Sequence, residues 1–329
     1  MSLRRKSCET CFRAKRKCDL EFPRCRRCQR TGKDCHYVRK PAAATDFDSD
    51  DKNTENANYS RGGVCTPYLP SFLGPLGEIR PIIGQSRSWS WTVQQFKNLP
   101  AQFANNLENI FIRKDLRTMS YAALRTAFAL CAAHTATVDS KESTSVRRVI
   151  DVEVAHLLAS SSNDTLLQDL ANLQALVLYQ ILRLLHGNID ERITAERQEE
   201  VMQTLCTRLL TRAESEIGPL QATWEAWVVA ENIRRTVMLS YCVYCVYWLD
   251  QIGCCPFFPT LKELPVSTRP ELWQSEGSSF LPQQDIPLTY EDFSMVWAAA
   301  PRRKLSPFEK MILVPCKGLD QVEMYSSEA

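Results

Sequence analysis

Beyond about residue 92 the apolar positions of this chain recur at steps of three and four. Phe103, Leu107, Ile110 and Phe111 make one run, Val149, Val152, Ala155 and His156 a second, and Leu166, Leu170, Leu173, Val177 and Ile181 a third. Such spacing lines one face of an α-helix. Asn163 or Asp164 offers the third run an N-cap and Gly187 a stop, while Gly218-Pro219 punctuates before a helix over about Leu220 to Asp250. From Gly253 the tail turns proline-rich and reads as irregular, with Tyr290 to Ala299 as the last helix. No fixed-period repeat and no strand-rich run breaks the pattern. The fold class predicted is mostly α, with an all-α domain over residues 91–329.

Upstream the periodicity is missing. Pro41 to Gly63 is small, polar and acidic (Asp46, Asp48, Asp50, Asp51) with almost nothing to bury, a composition that predicts a disordered linker. Residues 64 to 90 are rich in Pro (67, 70, 75, 81) and Gly (74, 77, 84), which opposes helix and predicts an irregular lead-in. The chain therefore divides into residues 1–40, a linker over 41–90 and the helical domain over 91–329.

Charge sharpens that division. Residues 1–40 carry 14 Lys/Arg against 4 Asp/Glu, and the remainder 26 against 34, so a near-neutral total hides a basic end suited to a polyanion. The 14 cysteines would suggest disulfides in a short secreted chain, but Met1 to Lys6 is basic and no apolar stretch follows it, which favours a reducing compartment. The longest apolar stretch, Val237 to Leu249, is interrupted by Ser240 and several Tyr and Cys and falls short of the ~20 residues of a membrane span. The expectation is a soluble protein with no membrane partner.

Six of the cysteines sit before residue 36, as Cys8-x2-Cys11-x6-Cys18-x6-Cys25-x2-Cys28-x6-Cys35. This is one pattern written twice: a close pair, then a third sulfur at the end of a short run. Four thiolates suit one tetrahedral zinc, and a two-residue gap lets both sulfurs of a pair reach one ion. Three sulfurs per half complete two such sites when two ligands are shared, as they are if Cys8 and Cys25 bridge. Disulfides or buried free thiols are the alternatives; the absent leader opposes the first and the Lys and Arg between the cysteines oppose the second. So small and charged a segment also needs a staple, which zinc binding supplies.

These residues resemble the fungal binuclear zinc cluster transcription factors, whose six-cysteine motif is matched in every spacing over about residues 5 to 39. The resemblance implies two zinc ions per chain, one held by Cys8, Cys11, Cys18 and Cys25 and the other by Cys25, Cys28, Cys35 and Cys8, with Pro23 in the joining loop. It implies double-stranded DNA as partner, with Lys15, four residues after the second cysteine, reading the guanines of a CGG-like triplet. Lysine donors do match guanine O6 and N7. Arg13, Arg16 and Lys17 share that run with Lys15, although Ala14 stands where the family usually has a basic residue. Arg26, Arg27, Arg30 and Lys33 of the second half are expected to grip phosphates, which adds salt-dependent affinity without reading sequence.

Other signals are weaker. Cys242 and Cys245 form a further C-x2-C within an apolar helical run, with Cys254-Cys255 nearby, and read as small buried hydrophobes. His134, His156 and His186 stand alone in helical segments and read as packed or surface residues. The absence of a Walker loop, G-x-S-x-G, H-E-x-x-H or kinase signature leaves an enzyme reading without support. Trp224-x2-Trp227-x3-Glu231-x2-Arg234-Arg235 falls on adjoining parts of one helix face and reads as a core stripe edged by a salt bridge. With Leu264-Pro265 and Leu272-Trp273 it is similar to the C-terminal helical region of fungal regulators of secondary-metabolite gene clusters. That resemblance implies dimerisation, effector response or contact with the transcription machinery. Because residues 41 to 63 lack an a/d seam, the protein either binds single triplets as a monomer or forms a homodimer through the helical domain. Arg4-Arg5-Lys6 and Lys15-Arg16-Lys17 are basic clusters of the kind import receptors recognise, which points to the nucleus. Two function classes remain: a DNA-binding transcription factor, of secondary or of primary metabolism, and a zinc-stabilised protein-interaction factor.

Overall fold

Loops of two and six residues between sulfurs leave room only for short helices, and the N-terminal segment has two, α1 (Glu9–Arg13) and α2 (Arg26–Arg30). The computed structural model describes residues 8–18, 25–33, 35, 86–114, 118–137, 143–159, 165–218, 223–275, 285–299 and 303–327. The chain separates into two units, Met1–Gly63 and Val64–Ala329. The expectations for the linker over 41–63, for Pro23 and for the caps Asn163 and Asp164 fall outside the described residues.

The second unit is helical. In order it contains α3 (Ser86–Asn106), α4 (Ala122–Thr137), α5 (Ser143–Ala159), α6 (Leu166–Ile181), α7 (Ile189–Arg197), α8 (Glu199–Ile217), α9 (Trp224–Ile252), the short α10 (Phe258–Leu261), α11 (Tyr290–Ala299), α12 (Pro307–Lys317) and α13 (Leu319–Ser327). A helix that is apolar on every side has to be surrounded. Helix α6 is such a helix, with Leu173 to Ile181 buried without a break, and so is α9 between Arg235 and Tyr247. The two pack on each other, with α4, α5 and α8 against α6, α8 also against α9, and α3 against α4, α12 and α13. Each fully buried Leu or Ile contributes about 1.5–3 kcal/mol of transfer free energy, which drives the arrangement.

The ends of these helices follow local chemistry. Thr165 caps α6 and Thr223 caps α9, their side chains accepting from the amides of Gln168 and Ala226 at 3.2 Å each. Helix α6 runs on into a π-helical turn, Leu182–His186, before Gly187. A Cβ on Gly187 would lie 2.1 Å from the Arg183 carbonyl oxygen, so only glycine lets the chain leave here. Gly253, at φ 75°, closes α9 in the left-handed conformation.

Several expectations are corrected. Helix α3 begins at Ser86, inside the stretch read as an irregular lead-in. It stops before Leu107, which has a φ of 63°, so Ile110 and Phe111 lie in a turn and not on a continuing helix. The Asn109 side chain holds that turn by accepting from the amides of Phe111 (3.1 Å) and Ile112 (2.9 Å). In α5 the core takes Ile150, Val154 and Leu157, while Val149 and Val152 are 50% and 69% exposed. Both registers step by three and four, and the one with the larger side chains is buried. The tail after Gly253 is more ordered than its prolines suggest. Helices α12 and α13 follow α11, because Pro307 occupies the first turn of α12, where no amide partner is needed. Among the described residues the sole sheet is the antiparallel pairing of Pro265–Val266 with Leu288–Thr289. No described helix is long and apolar enough to cross a membrane.

Candidate metal centre and nucleic-acid interface

The written-twice pattern of the cysteines becomes a repeated structure. Cys8 is the N-cap of α1, its sulfur accepting from the Cys11 amide at 3.4 Å, and Cys25 caps α2 in the same way through the Cys28 amide at 3.4 Å. The backbone bonds repeat with the same offset: Phe12 N to Cys8 O and Gln29 N to Cys25 O are both 3.0 Å, and Arg16 N to Cys11 O and Lys33 N to Cys28 O are 3.0 and 3.1 Å. After each helix one residue takes positive φ, Lys15 at 49° and Gly32 at 63°. Each half thereby turns the chain back so that a third sulfur, Cys18 or Cys35, returns to its pair.

All six sulfurs meet. They fall into two sets of four, Cys8, Cys11, Cys18 and Cys25, and Cys8, Cys25, Cys28 and Cys35, with the sulfurs of each set within 4.8 Å of one another. Cys8 and Cys25 belong to both. Their sulfurs are 3.8 Å apart, Cys8 to Cys28 is 3.8 Å and Cys11 to Cys25 is 3.7 Å. Zinc–thiolate bonds of about 2.3 Å in a tetrahedron place sulfurs about 3.8 Å apart, so the donor set and its spacing fit zinc. Burial pushes the Cys8 and Cys11 thiols up and that of Cys28 up to about 12. Cys25 and Cys35 are desolvated too, yet come down on balance because the amides of Cys28 and Cys25 donate to their sulfurs. Divalent cations offset the cost of keeping such closely packed sulfurs as thiolates.

Residues 6–44 match the fungal Zn(2)-Cys(6) binuclear cluster domain. The chain carries a fungal binuclear zinc cluster. The cluster binds two zinc ions, and with it the chain is a DNA-binding transcription regulator. Over 96% of its length the chain is similar to "Transcription factor gsfR2" of Penicillium aethiopicum, with 23% identity and 93% of that protein covered. No solved structure matches.

The zinc cluster buries four of its cysteines, keeps Cys18 and Cys35 half-buried and turns its cations outward. Cys8, Cys11, Cys25 and Cys28 are at most 1% exposed. Arg13, Lys15, Arg16, Lys17, Arg26, Arg27, Arg30 and Lys33 are all exposed. Among them Arg13 is paired with Glu9 at 2.6 Å, one turn earlier on α1.

In the helical unit the stripe on α9 is more than a core edge. Glu231 accepts from Arg235 Nε at 2.6 Å and from Arg234 Nε at 2.8 Å, and Arg234 reaches Asp285 at 3.2 Å. Arg235 is 2% exposed, lies over the Trp273 ring at 3.9 Å and the Phe308 ring at 4.5 Å, and donates to the Ile110 carbonyl at 3.1 Å. Asp285 also accepts from Trp227 Nε1 at 2.6 Å and from the Thr268 amide at 3.0 Å. Asp285 was not legible beforehand, because its partners lie far from it along the chain. The histidine and cysteine readings change as well. His134 and His186 face each other edge to face at 5.3 Å, and burial pulls both below the usual imidazole range, His134 to about 4. His156 is exposed. Cys242 is a buried thiol, but Cys245 is disulfide-bonded to Cys255.

Proposed function

We propose that the zinc cluster reads a CGG-like triplet in the major groove, and that the chain acts in the nucleus on a fungal biosynthetic gene cluster. The observation that carries this reading is the pairing of a six-sulfur centre, four of its cysteines buried and Cys18 and Cys35 half-buried, with an outward surface of cations set at fixed places by two short helices. Cys8, Cys11, Cys18, Cys25, Cys28 and Cys35 serve as the zinc ligands, with Cys8 and Cys25 shared.

Lys15 is the reading residue, because it is exposed at the turn that ends α1 and stands at the position to which the family resemblance gives that role. Arg16 and Lys17 follow it into the groove. Arg13 contributes less, since Glu9 competes for its guanidinium. Arg26, Arg27, Arg30 and Lys33 grip phosphates and set register. The name of the Penicillium relative supports transcription as the setting, and the resemblance of the Trp224–Arg235 stretch to regulators of secondary metabolism supports the pathway. The helical unit, over residues 91–329, serves homodimer formation or contact with the transcription machinery.

A gel shift over CGG-containing and scrambled duplexes, with a salt titration, tests the reading. Lys15→Ala is expected to remove the preference for the triplet, worth about 1–3 kcal/mol, while leaving salt-sensitive binding to both duplexes. Arg27→Ala is expected to weaken both alike. A wild-type protein that holds its zinc yet shows no triplet preference would make the module a protein-interaction factor instead. Deleting the gene and comparing transcripts tests the pathway: loss confined to neighbouring biosynthetic genes supports it, and a change confined to sugar or nitrogen assimilation genes moves the protein to primary metabolism.

A further inference from the structure

A cleft of about 340 Å³ opens between α4, α6 and the N-terminal turns of α9. Its walls are apolar, with Leu124 from α4, Leu170 from α6 and Val228 from α9, and Trp224 stands at its edge. Trp224 is a fixed wall: it stacks on Trp227 at 5.4 Å with 12° between the rings, and the Arg113 guanidinium lies over it at 5.1 Å. Arg113 is itself anchored on the carbonyls of Trp273 (2.8 Å) and Ser275 (2.7 Å). Among the described residues the charged side chains of the lining, Arg113 and Glu225, are of opposite sign. The volume lies in the range of small-molecule sites, and the lining has their composition, mostly apolar with a few fixed polar groups.

One polar group in that lining lacks its complement. Gln174, on α6, is 3% exposed, and its amide nitrogen donates to the Phe111 carbonyl (3.2 Å), to Asn232 Oδ1 (3.4 Å) and to Thr236 Oγ1 (3.3 Å). The direction of these bonds is fixed. A backbone carbonyl only accepts, and Asn232 must present its oxygen because its own nitrogen donates to Val228 O at 2.9 Å. The Gln174 amide cannot be turned around, and its oxygen has no donor among the described residues. An amide oxygen on a buried side chain, in a mostly apolar cleft, is left to bond an N–H or O–H from outside.

We infer that the cleft is a binding site for an uncharged, ring-shaped small molecule carrying a hydroxyl or N–H donor. The apolar walls take the ring, the Trp224 edge meets it edge to face, and the donor bonds Gln174 Oε1. Among the described residues, the one cation and one carboxylate of the lining give no net charge to attract an ion. Such a ligand would touch α4, α6 and α9 together, and would lie beside Arg113, whose anchors are in the Trp273–Ser275 segment. Occupancy would therefore be felt at elements that are distant in sequence. The site does not depend on what the zinc cluster reads.

The test uses the full-length, zinc-loaded protein and two neutral probes of one shape, 2-naphthol and 2-methoxynaphthalene, which differ in the donor. Isothermal titration calorimetry is expected to show one saturable site for 2-naphthol and at least tenfold weaker binding of the ether. Val228→Phe fills the cleft from a partly exposed position and is expected to abolish binding with its melting temperature unchanged. Gln174→Leu removes the acceptor and is expected to bring the two probes to similar affinity. Should Gln174→Leu fail to fold, Val228→Phe, which leaves the Gln174 bonds in place, and the comparison of the two probes in the wild type carry the test. Absence of saturable 2-naphthol binding, equal affinity for both probes in the wild type, or undiminished binding in Val228→Phe overturns the inference.

Discussion

Glu231 is the point at which the helical unit is most sensitive to loss of a single charge. The side chain is 1% exposed and holds two guanidiniums, one of which, on Arg235, is 2% exposed and has no carboxylate nearer than Glu231 among its hydrogen-bond partners. Burial pulls Arg235 below the usual guanidinium range, and the Glu231 charge is what pushes it back. Glu231→Gln keeps the shape and one acceptor oxygen but removes the charge, leaving Arg234 on Asp285 and taking from Arg235 the carboxylate it bonds. Breaking a buried pair by removing one partner costs about 3–5 kcal/mol, and with the shape kept the low end, about 3 kcal/mol, is expected. For a unit of this size that lowers the melting temperature by about 6–12 °C. Tryptophan fluorescence reads the transition in this unit alone, since all seven tryptophans lie between Trp89 and Trp297. The double variant Glu231→Gln/Arg235→Met restores charge balance, one arginine against Asp285, and is expected to be more stable than Glu231→Gln by at least about 1 kcal/mol. A Glu231→Gln protein within about 1 kcal/mol of wild type would falsify the argument, as would a double variant destabilised by the sum of the two single changes.

Four further outcomes follow from the geometry. Metal analysis is expected to return two zinc ions per chain; because Cys25 belongs to both sulfur sets, Cys25→Ser should lose close to both ions, whereas Cys18→Ser, in one set, should retain one, and equal losses would refute the sharing. His134 sits at about 4 in the folded protein against 6.5 unfolded, so its stability contribution is complete above pH 6.5 and is lost as pH falls toward 4, on the order of 3 kcal/mol; urea midpoints for wild type and His134→Gln should diverge over that window, and parallel curves would refute the assignment. Gly187→Ala must displace a backbone carbonyl 2.1 Å from the new Cβ, and a loss of at least about 2 kcal/mol is expected by the same urea assay. Zinc chelation should unfold the N-terminal module while leaving the tryptophan signal of the helical unit unchanged, and a tryptophan change on chelation would count against two separate units.

What could be read from the residues alone depended on how local the cause was. The cysteine spacing carried the metal centre completely, because the ligands, the helix caps and the turns are all set within a few residues of one another. The third apolar run was equally legible, since every position of Leu166, Leu170, Leu173, Val177 and Ile181 is buried. In α5 two registers competed, and Val149 and Val152 lost to Ile150, Val154 and Leu157 because the pattern does not say which face meets α4 and α6. Leu107 fitted a helical period yet ends α3, and the reason, the Asn109 turn, is stabilised by a bond from Asn109 to the Leu99 carbonyl (3.4 Å) and by packing. The polar network below Trp224 was invisible for a different reason. Gln174, Asn232 and Thr236 are unremarkable one by one, and become a site only when α6 and α9 are set side by side.

The two halves of the zinc cluster also show what a repeated backbone tolerates. At the turn after each helix the chain requires a left-handed residue; the second half meets it with Gly32 and the first with Lys15. Glycine enters that conformation freely, whereas a residue with a Cβ is disfavoured by roughly 1–2 kcal/mol. One copy of the turn thus follows the backbone's own preference and the other departs from it in favour of a cation. Glycine at both turns would be the less strained arrangement, and on the reading proposed above the strain at Lys15 accompanies a base-reading cation. If Lys15 reads a base, the two equivalent turns divide between backbone ease and recognition, and Lys15→Gly would relieve the first at the expense of the second.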